Sequence, residues 1–92
     1  MSKAASTLRR ALLYVPSSSP KFLQKSTSLH VDTVAYDLED SVASHKKDEA
    51  RMNLAEFLKK PKAAGIREQA VRINSVESGL ALKDLEAVVC AL

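Results

Sequence analysis

The side chains best suited to chemistry fall in three short stretches of the chain. Asp37-Leu38-Glu39-Asp40 places three carboxylates close together, and Arg72-Ile73-Asn74 places a guanidinium on an otherwise apolar segment. Charges near a core are costly unless paired, so each stretch calls for a partner. Spacing alone leaves two outcomes open. Arg72 neutralises Asp37 or Glu39, or it grips a substrate carboxylate with two parallel hydrogen bonds while the acids orient it or assist a metal ion. The third stretch is basic: Lys21 and Lys25, one helical turn apart, and the run Lys46-Lys47-Asp48-Glu49-Ala50-Arg51. Cations in the first turns of helices, where backbone N–H groups are free, suit an anion such as the phosphate of a cofactor. An ordinary solvated helix face, with Lys47 and Arg51 spaced i, i+4, is the alternative.

The elements that must position these residues alternate between two periods. Ala11 to Val15 reads as a buried strand, stopped by Pro16 and the turn residues Ser17-Ser18-Ser19-Pro20. Pro20 can open a helix, in which Phe22, Leu23, Ser26 and Leu29 recur at helical spacing. Val31 to Leu38 alternates as a second strand. A longer helix from about Lys46 to Lys60 carries Ala50, Leu54, Phe57 and Leu58 on one face and stops at Pro61. Gln69 to Asn74 reads as a third strand, with Ala70, Arg72 and Asn74 on one side. A last helix is expected from Leu82 onward, with Leu85, Val88, Val89 and Leu92 sharing a face.

Strand then helix, three times over, predicts an α/β chain with a parallel sheet and right-handed crossovers. Either a doubly wound sheet or part of a (β/α)8 barrel fits. A whole barrel takes roughly 250 residues, so 92 residues supply about three of its eight units. In both architectures ligands bind at the C-terminal ends of the strands. Tyr14, the Asp37–Asp40 cluster and Arg72 all fall there.

Composition narrows the function. With 46% hydrophobic and 27% charged residues the chain is of globular type, and no apolar run approaches the ~18 residues of a membrane span. The net charge of +3 is local: residues 1–31 hold Lys3, Arg9, Arg10, Lys21 and Lys25 with no acid, and the remainder holds all eleven acids. Four aromatic residues are few for a nucleic-acid surface, which ordinarily stacks bases on such rings, so no nucleic-acid partner is expected. The acid-free start has the composition of an organelle transit segment, but only about ten residues precede the first strand, which is short for one. Residues 1–8 are read as a flexible segment. Cys90 is a lone cysteine, which excludes an internal disulfide, and His30 and His45 lack companions at zinc-ligand spacing. Two glycines leave no room for a phosphate-binding glycine-rich loop.

Four blocks carry a resemblance. Arg10-Ala11-Leu12-Leu13-Tyr14-Val15-Pro16, Val31-Asp32 through Asp37-Leu38-Glu39-Asp40-Ser41-Val42-Ala43, Lys46 to Arg51, and Val71-Arg72-Ile73-Asn74-Ser75 closely resemble the citrate lyase β-subunit family, nearest its citrate lyase β-like branch. The resemblance implies that residues 9–92 are the N-terminal portion of a TIM-type barrel of the HpcH/HpaI aldolase/citrate lyase kind. It implies a Mg2+-dependent carbon–carbon lyase of short acyl-CoA thioesters, cleaving a substrate such as citramalyl-CoA to acetyl-CoA and a 2-keto acid. Carried over by position, Tyr14, Lys21, Lys25 and the segment Lys46, Lys47, Asp48, Glu49, Ala50, Arg51 correspond to substrate or CoA contacts, and Arg72 to the carboxylate clamp. Glu39 and Asp40 correspond to acids behind the metal rather than ligands to it. The family's Mg2+ ligands and catalytic Asp fall beyond residue 92, so neither a metal ligand nor a catalytic residue is expected within this chain, and the chain alone is expected to be inactive. Homo-oligomers and a mitochondrial address are also implied, with the cytoplasm as the alternative compartment. Ser17 departs from the glycine usual after Val-Pro. A different reading rests on the open sheet: a three-unit sheet exposes two edges, which suits a non-catalytic assembly module that pairs with another chain.

Overall fold

A computed structural model describes residues 11–91. The segment 1–8 lies outside the described residues. Six main elements follow in order: β1 (Leu12–Pro16), α1 (Pro20–Ser26), β2 (Val31–Asp37), α2 (Lys47–Leu58), β3 (Ile66–Arg72) and α3 (Ala81–Ala91). Single 3-10 turns, Ser44–Lys46 and Val76–Ser78, lead into α2 and α3. The strands form one parallel sheet in the order β1-β2-β3. Three strand–helix units on a parallel sheet in sequential order are the α/β arrangement the sequence predicted, and fit a segment of a (β/α)8 barrel. Register aligns Pro16 with Asp37 and Asp37 with Arg72, so the C-terminal strand ends stand in one row.

Local chemistry explains the element boundaries. Ser19 caps α1 by accepting the Phe22 N–H on its Oγ (3.3 Å), and Pro20 sits where a helix needs no N–H. α1 stops at Ser26, because the Ser26, Thr27 and Ser28 hydroxyls bond back to carbonyls three residues earlier and compete with helix continuation. Asp48 and Glu49 occupy the first turn of α2, where the helix dipole favours carboxylates.

One side of the sheet carries the core. Val15, Val34 and Tyr36 pack with Leu23 of α1 and with Ala50 and Leu54 of α2. Phe57 meets the Tyr36 ring edge-on at 5.4 Å, and Gln69 Nε2 donates to the Tyr36 hydroxyl at 2.8 Å. Burial pushes the Tyr36 phenol above its ordinary pKa. Gly65 admits no side chain: a Cβ there would collide with the Leu29 carbonyl oxygen in the loop that leads into β2.

Three expectations change. The first strand, read as buried, encloses Val15 but leaves Leu12, Leu13 and Tyr14 exposed on an outer strand of the described sheet. β3 begins at Ile66, three residues earlier than its pattern suggested, and ends at Arg72. The polar pair Arg67-Glu68 hid the start, yet both are partnered in the sheet: Thr33 Oγ1 donates to Glu68 at 2.9 Å, and Arg67 approaches Asp32 at 3.8 Å. On α3 the buried positions are Ala81 and Asp84, while Leu82, Leu85 and Val89 are 47–68% exposed. Of the face read from spacing, Val88 alone packs on the core, and Leu92 lies outside the described residues. A buried carboxylate, not an apolar stripe, sets how this helix sits.

Candidate active site at the strand ends

Asp37 is the centre of the row. Its carboxylate is fully buried and takes five hydrogen bonds: Arg72 Nε (2.9 Å) and Nη2 (2.8 Å), the Glu39 N–H (2.8 Å), the Ser41 N–H (3.0 Å) and Ser41 Oγ (2.6 Å). Burial alone would raise its pKa. The Arg72 guanidinium, the Ser41 hydroxyl and the two backbone donors outweigh that and hold the carboxyl well below the usual range. The same pairing raises the pKa of Arg72, which stays charged.

Arg72 is held but not used up. Its Nε–Nη2 edge faces Asp37, its plane lies 4.4 Å from the centre of the Tyr14 ring, and its side chain is 32% exposed. A guanidinium has five N–H donors in a fixed fork, so the Nη1–Nη2 edge remains able to grip a second carboxylate. Glu39 approaches Nε on the Asp37 side at 3.6 Å, and Asp40 approaches Nη1 at 3.7 Å. Of the outcomes left open by spacing, the neutralising one is present: Arg72 pairs with Asp37. Tyr14, midway along β1 and separated from β3 by β2, lies against the guanidinium as its cation–π partner.

The basic residues are distributed unevenly around this centre. Lys21 and Lys25 are exposed on α1, and Lys25 lines an apolar groove of about 340 Å³ with Leu13, Tyr14 and Phe22. Lys46 is exposed and pairs with Glu49 at 3.1 Å. Lys47 turns toward the strand ends, where its Nζ donates to the Leu38 and Glu39 carbonyls at 2.9 and 2.6 Å. Asp48 is exposed and pairs with Arg51. Ala50 is enclosed in the core, and the Arg51 side chain is buried against Asp84 at 2.6 Å. Ser41 and Asp84, which hydrogen-bond around the strand ends, were not singled out by the sequence, whereas Asn74 was placed only as part of the Arg72 stretch. A Ser four residues after an acid at a strand end is a local signal for Ser41; nothing local marks Asp84, whose partner lies 33 residues away.

The acids here do not fit a resident Mg2+. The Asp37 carboxylate is taken by its five donors, and Glu39 and Asp40 answer to Arg72. Among the described residues no three His, Cys, Asp or Glu side chains converge as a metal site.

A parallel strand–helix segment with a guanidinium anchored at the C-terminal ends of its strands has the arrangement of part of a (β/α)8 barrel. Residues 10–92 match the profile of the HpcH/HpaI aldolase/citrate lyase family, and the chain belongs to that family. It is 49% identical over 83 residues to the mitochondrial citramalyl-CoA lyase of Rattus norvegicus, covering 90% of this chain and 24% of that protein. It is 42% identical over 84 residues to the citrate lyase β subunit of Haemophilus influenzae, covering 91% and 28%. Among solved structures it superposes on CitE from Mycobacterium tuberculosis in complex with magnesium, acetoacetate and coenzyme A, with a TM-score of 0.69 and 33% identity, covering 89% of this chain and 30% of that one. The chain thus spans about a quarter of the length of the curated relatives it matches.

Proposed function

We propose that this chain supplies three strand–helix units of a Mg2+-dependent carbon–carbon lyase acting on short acyl-CoA thioesters, with cleavage of citramalyl-CoA to acetyl-CoA and pyruvate as the type reaction. One observation carries this reading: Arg72 is fixed by Asp37 along one edge and offers its other edge at the strand ends. That edge is assigned to the carboxylate that departs with the keto acid, with Tyr14 as the wall beneath it. Lys21, Lys25 and the exposed part of the Lys46–Arg51 segment are assigned to the CoA moiety, whose phosphates their charge suits. The share of that chemistry assigned to these residues is the binding of the carboxylate and of CoA. The mitochondrial relatives favour a mitochondrial compartment, with the cytoplasm as the alternative.

Calorimetric titration of the chain with oxaloacetate and with citramalyl-CoA tests the assignment. Arg72→Lys, which loses the planar fork but keeps the charge, is expected to weaken both by about tenfold, and Arg72→Ala to abolish oxaloacetate binding. Equal affinity in Arg72→Ala would overturn it.

The outer edge of β1, which has no partner strand among the described residues, favours a second reading. Leu12, Leu13 and Tyr14 are 53%, 40% and 48% exposed along it, an edge suited to pairing with another chain. Sedimentation is then expected to show concentration-dependent association, whereas a folded monomer at every concentration speaks against it.

A further inference from the structure

Arg51, Asp84 and Asn74 are all more than nine-tenths buried, yet none belongs to an apolar cluster. They form one chain of contacts. Arg51 Nε donates to Asp84 Oδ1 at 2.6 Å; Asp84 Oδ2 then accepts from the Asn74 backbone N–H (2.8 Å) and from Asn74 Nδ2 (2.7 Å). Asn74 Nδ2 also donates to the Leu38 carbonyl at 2.9 Å. Leu38 follows Asp37 directly, so the contacts run from α2 through α3 to the turn that leaves β2.

That turn is gripped from two sides. On one side the Asp37 carboxylate accepts the Glu39 and Ser41 N–H groups and the Ser41 hydroxyl. On the other, Asn74 and Lys47 hold the Leu38 carbonyl, and Lys47 holds that of Glu39. Burying an ion pair such as Arg51–Asp84 gains little stability over an apolar pair of the same volume; its better-attested use is to fix a unique arrangement. What it fixes here is the Asn74 amide, and through Leu38 the turn whose donors orient Asp37.

We propose that Arg51, Asp84 and Asn74 act as positioning residues for the carboxylate clamp, setting the Asp37 carboxylate and thereby the direction in which Arg72 presents its free edge. The clamp role of Arg72 rests on the function proposed above; the mechanical coupling does not.

Asn74→Ala in the 92-residue chain, followed by NMR of the Arg72 Nε–H, tests it. Loss of the amide bridge is expected to speed exchange of that proton with water by about tenfold, the weight of one hydrogen bond, while the mid-strand amides of Val34 and Ala70 keep their protection. An Arg72 Nε–H unchanged in the folded variant would overturn the proposal. Native-state exchange of the unaltered chain gives a measurement that needs no variant to fold. The Asn74 and Ser41 amides and the Arg72 Nε–H are expected to open as one unit, with a common dependence on denaturant; separate openings would overturn the coupling. Neither readout involves a ligand, so a failed oxaloacetate titration strikes the functional reading and leaves this one standing.

Discussion

Replacing Asp84 with alanine is expected to destabilise the chain by about 3–5 kcal/mol, the usual consequence of removing one partner of a buried ion pair. Asp84 is fully buried and the Arg51 side chain is 8% exposed, so the guanidinium cannot recover its lost partner from water. It retains only the solvent-exposed Asp48, and its Nη2 already lacks a hydrogen-bond acceptor. The backbone N–H of Asn74 loses its acceptor in the same step. A domain holds about 5–15 kcal/mol in all, so a chain of this size is left with little cooperative unfolding. Urea titration followed by circular dichroism measures the loss, and a change below about 1 kcal/mol would show that the pair is not closed to solvent. The double variant Arg51→Met/Asp84→Leu separates charge from shape. It is expected to regain most of the stability, because apolar residues of similar volume commonly replace a buried pair at little cost. It does not restore an acceptor for Asn74.

How much of this was legible follows from how far each contact reaches. The three strand–helix units were readable because period-2 and period-3.6 runs alternate between turn residues, and those signals are local. Asp37 with Arg72 was readable as a pairing because opposite charges at the ends of successive parallel strands meet across one register step. The start of β3 was not, since Arg67 and Glu68 are stabilised by Asp32 and Thr33 on the neighbouring strand rather than by their own pattern. The face of α3 was not either. Periodicity ranks positions by apolarity, and here one buried carboxylate outweighs Leu82, Leu85 and Val89 in deciding which side turns inward. In the Lys46–Arg51 run, alternating charge gave no sign that Arg51 turns in, Lys47 bends to the strand ends and Lys46 stays outside. The two inward fates are decided by residues distant in sequence: Asp84 for Arg51, and the Leu38 carbonyl for Lys47. The exposed leucines of β1 and α3 show the same principle in reverse, being apolar positions that the described residues leave uncovered.

Asp37→Asn is expected to remove much of the acid sensitivity of the fold and to weaken carboxylate binding together. The Asp37 carboxyl is depressed in the folded state, so its contribution is fully present above the ordinary carboxylate pKa of about 3.9 and is lost as pH falls through and below that value. Stability of the unaltered chain should therefore decline steeply between about pH 5 and pH 2, and the variant's amide, having no such proton to take up, should flatten that limb. Geometry adds a second effect. An amide replaces one of the two accepting oxygens with a donor, so whichever way it is turned, an NH2 group confronts one Arg72 N–H, together with either the Glu39 N–H or the Ser41 donors. Arg72 then loses its two-point anchor and falls back on Glu39 and Asp40, which approach it only at 3.6 and 3.7 Å. The guanidinium would swing toward those acids and turn its free edge away from Tyr14. Denaturant midpoints measured across that pH range, alongside an oxaloacetate titration at neutral pH, check both effects. An unchanged acid limb would mean that other carboxylates govern acid unfolding. Unchanged binding would mean that Tyr14 and the flanking acids suffice to aim Arg72 without its anchor.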